Sequence, residues 1–160
     1  MKLEVRQLAE CPECLATVGT WIYQQWWSRA HDSPDVVFNL LRTHTRIDRV
    51  PYTVVAFANG TPVASCCVID NDCVHRPQYW PWVAAVFVQP ALRRHGVGSI
   101  LLQEAARIAT RAGIEALYID CLAATAPFYQ KNGWTLHERE VGDKDSVVLR
   151  RKLDHGKGAH

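Results

Sequence analysis

Val86-Phe87-Val88-Gln89-Pro90-Ala91-Leu92-Arg93-Arg94-His95-Gly96-Val97-Gly98 is the stretch that decides the fold. It opens as the end of an apolar run, Trp82 to Val88, too dense to be half exposed, which predicts a central strand buried on both faces. Pro90 cannot donate to a β ladder and ends that strand. A basic turn with two glycines follows. Then Val97, Ile100, Leu101, Ala105, Ile108 and Ala112 recur at helical spacing, with Gln103, Arg107 and Arg111 on the solvent face, and Gly113 stops the helix. A helix start leaves amide donors unpaired and carries partial positive charge. Glycines there let a ligand approach the backbone, and Arg93-Arg94 adds attraction for anions. The unit therefore reads as a cradle for a pyrophosphate.

Outward from this unit, the periodicity alternates between strand and helix. Tyr52 to Ala58 and Pro62 to Ile69 are β-rich runs joined by Asn59-Gly60, a pair suited to a type I′ hairpin. Leu3 to Arg6 alternates as a short strand. From Cys14 to Trp27, Leu15, Val18, Ile22 and Trp26 form one helical stripe. That phase puts Trp26 in the core and leaves Trp27, about 100° away, free to face a ligand. Ser33-Pro34 starts a second helix carrying Val37, Leu40 and Leu41. Beyond Gly113, Leu117 to Ile119 is a strand and Ala126 to Asn132 a short helix closed by Gly133. Trp134 to Leu136 and Val147 to Leu149 complete the sheet. The order β-α-α-β-β-β-α-β-α-β-β predicts an α/β domain with a mixed sheet rather than a regular doubly wound one. Residues 1–153 read as a single domain, and 154–160 as a frayed tail.

Several function classes are excluded by composition and by missing motifs. Eighteen Lys and Arg against 16 Asp and Glu give a net charge of +2. The basic residues are scattered, so no nucleic-acid footprint is expected. No run of about 18 apolar residues suggests a membrane span, and charges at Lys2, Glu4 and Arg6 interrupt any signal-peptide core. A cytoplasmic protein is expected. Of the six cysteines, Cys11 and Cys14 have CxxC spacing, and Cys73 with His75 is the nearest second half-site. A second CxxC and a close His pair are missing, so reduced thiols and no metal are expected. The two glycines lie past mid-chain without the third glycine of a dinucleotide fingerprint, and no Gly-Lys-Ser/Thr follows them. That argues against a dehydrogenase or a nucleotide kinase.

The run Val-x-Val-x-Pro-x-x-Arg-Arg-x-Gly-x-Gly resembles the acetyl-CoA signature of the GCN5-related N-acetyltransferases (GNAT). Phe128-Tyr129-Gln130-Lys131-Asn132-Gly133-Trp134 is similar to that family's second signature, in the expected order. The resemblance implies a GNAT-like fold: a mixed, mostly antiparallel central sheet flanked by helices. It implies acetyl-CoA as acetyl donor. Backbone groups along Val86, Phe87 and Val88 would pair with the pantetheine arm. Amides of Arg94, His95, Gly96, Val97, Gly98 and Ser99 would hold the pyrophosphate, aided by the Arg93 and Arg94 side chains. The Tyr129 hydroxyl would lie near the sulfur as proton donor. The chain departs from the family pattern twice: Trp82 to Val88 has no ionisable side chain to serve as base, and Leu122 stands where an Asn is common. Asp70, Asp72 and His75 are the candidate bases.

The resemblance also places the acceptor between the N-terminal helices and the strand before the cofactor. Trp21, Tyr23, Trp26, Trp27 and His31 come from one side, and Tyr79, Trp80 and Trp82 from the other. Tryptophan faces attract cations, so an aromatic wall suits an amine. Trp27, Trp82 and Asp72 are the expected acceptor contacts. A small-molecule amine is preferred over a protein lysine or N-terminus, and a homodimer is compatible with the pattern. A non-catalytic acyl-CoA sensor on the same fold is the reading from a different class.

Overall fold

The computed structural model describes residues 1–155. Four helices and seven strands follow the expected order: β1 (Leu3–Gln7), α1 (Leu15–Ile22), α2 (Asp35–Leu41), β2 (Tyr52–Ala58), β3 (Thr61–Ile69), β4 (Trp82–Val88), α3 (Val97–Arg111), β5 (Ala116–Leu122), α4 (Ala126–Gln130), β6 (Thr135–Arg139) and β7 (Ser146–Lys152). The strands form one sheet in the order β1-β2-β3-β4-β5-β7-β6. Every neighbouring pair is antiparallel except β4 with β5. The β2–β3 hairpin turns on Asn59 (φ 50°) and Gly60 (φ 82°), the positive pair that Asn-Gly accommodates.

Side-chain alternation along a strand divides the core between the two faces of the sheet. Tyr52, Val54, Ala56 and Cys66 turn toward α3 and α4 and pack with Leu101, Ala105 and Ile108. Val55, Phe57 and Cys67 turn toward α1 and α2 and pack with Val18, Ile22, Val37 and Leu41. Cys66 and Cys67 thus lie on opposite faces, and all six cysteines are free thiols. Gly19 brings α1 onto α2 so closely that a Cβ there would sit 2.4 Å from the Phe38 ring.

The expected phase of the first helix is reversed at its end. After Ile22 the chain passes through a π-helical turn, Tyr23–Trp27, closed by a bond from the Ser28 amide to the Tyr23 carbonyl at 2.8 Å. A π turn spans one residue more than an α turn. Trp27 therefore replaces Trp26 on the stripe that continues from Ile22. Trp26 is 48% exposed, while Trp27 is half-buried against the α1–α2 core.

Of the expected tail, Asp154 and His155 are described, and the His155 ring lies 2.6 Å from the Ile114 carbonyl. The remainder, 156–160, lies outside the described residues.

Candidate active site

The site begins with a break in the sheet. The parallel pair β4–β5 is in register only at Trp82 and Tyr118, next to a bond from the Tyr118 amide to the Pro81 carbonyl. Below that point the two strands diverge. Ala84 to Val88 are consequently half-buried, not buried on both faces as the apolar run predicted. The bare edge of β4 needs another partner for its backbone groups, as all such edges do. A bulge sharpens the break: the β3–β4 register shifts between Ser65 and Cys67, and Ala85 holds a left-handed φ of 53°. Bulges re-aim backbone and side chains beside functional sites.

Past β4, Arg94 (φ 65°) and Gly96 (φ 81°) turn the chain into α3, whose first residues Val97, Gly98 and Ser99 have amides without intrahelical partners. A Cβ on Gly96 would meet nothing within 4 Å, so the space before the helix start is open. Gly98 serves packing instead. A Cβ there would lie 3.1 Å from the Phe128 ring, so glycine lets α3 approach α4. Open space, unpaired amides and exposed Arg93 and Arg94 fit a pyrophosphate. Two expected contacts are restricted to backbone: the Phe87 ring stacks on Trp21 at 5.1 Å, and Val97 is buried in the core. The Val88 backbone carbonyl, by contrast, already accepts a bond from Arg93 Nε at 3.0 Å. His95 is exposed and turns its Nδ1 to the Arg93 carbonyl at 2.9 Å.

The break in the sheet opens into a cleft of about 1200 Å³ between α1–α2 and the β4–β5 fork. Ile22, Trp26, Trp27, Leu40 and Leu41 line one wall. Ala84 to Val86, Ile119 to Leu122 and Tyr129 line the other, and Arg93, Asp70, Asn71 and Asp72 also line the cleft. Tyr129 is buried except for 6% of its surface, and burial holds its phenol pKa well above the ordinary value, so it stays protonated.

Several expected acceptor residues are placed elsewhere. Trp82 is fully buried in a small core with Cys73, Val141 and Val148, its indole N–H given to the Tyr79 carbonyl at 2.8 Å, and it does not wall the cleft. A centre-strand tryptophan facing a loop-covered pocket is a packing residue. Trp21 is likewise core, and Tyr79 stacks on Tyr118 at 4.7 Å. Of the candidate bases, His75 lies against Gly142 and outside the cleft lining. Asp70 lines the cleft but accepts the Trp80 indole N–H at 2.7 Å. Asp72 lines the cleft and is exposed. Desolvation by the surrounding protein, with the charge of Asp120, pushes its pKa up to about 7.

Two cleft residues carry little signal in the sequence. Asp120 lies in the middle of β5, where a charge among apolar neighbours was the available sign. His44 follows α2 in a segment without periodicity. It is 6% exposed, its Nδ1 sits 2.7 Å from Thr53 Oγ1, and burial lowers its pKa to about 4, leaving it neutral. The Cys67 and Cys121 thiols in the cleft are pushed up to about 11, chiefly by burial, so neither presents a thiolate nucleophile near neutral pH.

The sequence profile of the acetyltransferase (GNAT) family matches residues 13–134. No curated protein matches the chain in sequence. Among solved structures, yncA from Salmonella typhimurium, with its cofactor acetyl-CoA, is 19% identical, with 97% of this chain and 96% of that one covered and a TM-score of 0.69. An aminoglycoside 6'-N-acetyltransferase complexed with coenzyme A is 14% identical over 96% of this chain and 98% of its own, with a TM-score of 0.71. A protein provisionally assigned as a phosphinothricin N-acetyltransferase is 26% identical over 96% and 99%, with a TM-score of 0.68. No helix among the described residues is long and apolar enough to cross a membrane.

Proposed function

This chain belongs to the acetyltransferase (GNAT) family, and from that premise we propose that it moves the acetyl group of acetyl-CoA to the primary amine of a small molecule by direct attack on the thioester. Residues 1–153 form the transferase domain in this reading, acting in the cytoplasm, where six free thiols suit a reducing environment. The observation that carries it is a cleft whose lining joins Val86 of β4 and Arg93, three residues before the Gly96 turn, to Tyr129 and to aromatic and acidic side chains. Bound acetyl-CoA supplies an activated acetyl thioester. The chain binds its pyrophosphate at the amides of His95 to Ser99 with Arg93 and Arg94 beside them, and offers the open edge of β4 at Val86 and Val88 to its arm. Arg93 must release the Val88 carbonyl for that edge to be used in full. Tyr129 holds a proton for the departing sulfur. The cysteines in the cleft stay protonated, which favours direct transfer over an acyl-cysteine route.

The test is release of free CoA from acetyl-CoA across a panel of amines. Release with small amines, faster than with lysine peptides, is expected. Tight acetyl-CoA binding with no release to any amine would favour the acyl-CoA sensor instead.

The acceptor wall makes its own prediction. Trp26→Ala should raise the acceptor KM several-fold and leave both the acetyl-CoA KM and the melting temperature unchanged, because this ring stands free at the cleft wall. Trp82→Ala should do the reverse. It empties a fully buried site at a cost of about 3–5 kcal/mol, lowering the melting temperature with or without ligands. Trp27, anchored on the core by one face and lining the cleft by the other, should show both effects when truncated.

A further inference from the structure

β2 is buried along its whole length, and Thr53 puts a hydroxyl into it where a valine would fill the same space. A sealed hydroxyl is costly unless it is bonded. Thr53 Oγ1 has two polar neighbours. One is the Sγ of Cys67, opposite it in the β2–β3 register, at 3.2 Å. The other is the Nδ1 of His44, from the segment after α2, at 2.7 Å. His44 and Cys67 are themselves buried, and both line the cleft. The second ring nitrogen of His44, Nε2, makes no hydrogen bond among the described residues, yet protein does not seal it in. On a buried ring that lines the cleft, this nitrogen opens there. Buried polar groups are almost always paired, so the relay beneath it and the unpartnered nitrogen at its end mark a place where a ligand completes the structure.

The proton directions follow from the chemistry of the three groups. Burial keeps the Cys67 thiol protonated, and its S–H is donated to Thr53 Oγ1. The hydroxyl hydrogen is then given to His44 Nδ1, a far better acceptor than sulfur. The opposite direction would leave the buried thiol hydrogen without a partner. Burial also outweighs the nearby charge of Asp70 and keeps the imidazole neutral. A neutral ring that accepts at Nδ1 carries its one proton on Nε2. His44 therefore presents a fixed N–H donor to the cleft.

We propose that His44, oriented by Thr53 and Cys67, selects the acceptor by giving its Nε2–H to an uncharged oxygen on the amine, such as an amide carbonyl. This rests on the acetyl-transfer reading and deepens it, naming what the acceptor carries besides its amine. Asp70, Asp72 and Asp120 line the same cleft, so a carboxylate on the acceptor would share that space with three acids, whereas a neutral carbonyl matches a neutral donor. Ile22, Trp26 and Leu40 offer apolar contacts to the rest of the molecule.

The experiment uses the whole chain, acetyl-CoA, and three acceptors that share one body: phenylalaninamide, 2-phenylethylamine and phenylalanine. Wild-type kcat/KM should favour phenylalaninamide over 2-phenylethylamine by about tenfold, the scale of one neutral hydrogen bond. Phenylalanine should fall below both. His44→Phe removes the donor, and Thr53→Val keeps the shape of Thr53 while releasing the ring from its anchor. In each variant the amide-to-amine ratio should fall to about one. A merely structural role would lower both acceptors together and leave the ratio in place, so an unchanged ratio in either variant overturns the proposal. Long-range ¹H–¹⁵N NMR of the ligand-free wild type, with the His44 signals identified by their absence in His44→Phe, should report the proton on Nε2. A proton on Nδ1 overturns the donor, and phenylalanine used as well as phenylalaninamide overturns the acceptor class. Absence of transfer to every amine would overturn the acetyl-transfer reading and leave His44 to be judged by binding. Phenylalaninamide, and not 2-phenylethylamine, should then shift the His44 Nε2 resonance; equal shifts, or none, overturn the donor site as well.

Discussion

Gly96→Asp should weaken acetyl-CoA binding by on the order of 100-fold, which corresponds to about 2.8 kcal/mol. A side chain at this position has room, since a Cβ meets nothing within 4 Å, but that room is the space proposed for the pyrophosphate. The added carboxylate puts a negative charge where unpaired amides and two arginines otherwise attract one. At an effective dielectric of about 20, two unit charges 4 Å apart repel by about 4 kcal/mol, so the predicted loss lies within reach of a single charge. Folding should respond differently. Asp tolerates a left-handed φ better than most residues, and at the start of α3 it can cap the helix and complement its dipole. The expected pattern is therefore lost affinity by calorimetry beside a melting temperature changed little. Unchanged affinity would remove the cradle from the cofactor site.

Tyr129→Phe should lower kcat by about 100-fold or more, the usual scale for loss of a positioned proton donor. Acetyl-CoA affinity should stay within about twofold. The change deletes one oxygen from a ring otherwise fixed by packing on Phe128 and Trp134, with centroids 5.1 and 6.0 Å away. That oxygen has no hydrogen-bond partner among the described residues, so its removal leaves nothing unsatisfied and thermal stability should hold. Because burial raises the phenol pKa, the wild-type residue stays a donor through the neutral range, and the acid limb of the rate profile should not change shape in the variant. Wild-type turnover in Tyr129→Phe would return this residue to packing alone.

The sequence by itself determined the order of elements, because each carries its own periodicity: β2 and β3 around Asn59-Gly60, α3 between Gly96 and Gly113. The cradle proposed for the cofactor was legible there too, since a strand, a proline, an Arg pair and two glycines at a helix start are all local features that need no distant partner. Tertiary structure decided what depends on contacts between distant residues. One π-helical turn after Ile22 exchanged the environments of Trp26 and Trp27, because a single added residue rotates all that follows it. Trp82 went into a core with Cys73 and Val148, from a loop and a far strand, and so left the acceptor wall. The half-burial of Ala84 to Val88 came from β5 turning away, which nothing within β4 could announce. Above all, Asp72 and Asp120 stand 48 positions apart in the chain. They line one cleft only because the tertiary fold brings the β3–β4 connection and β5 to the same side of the sheet opening.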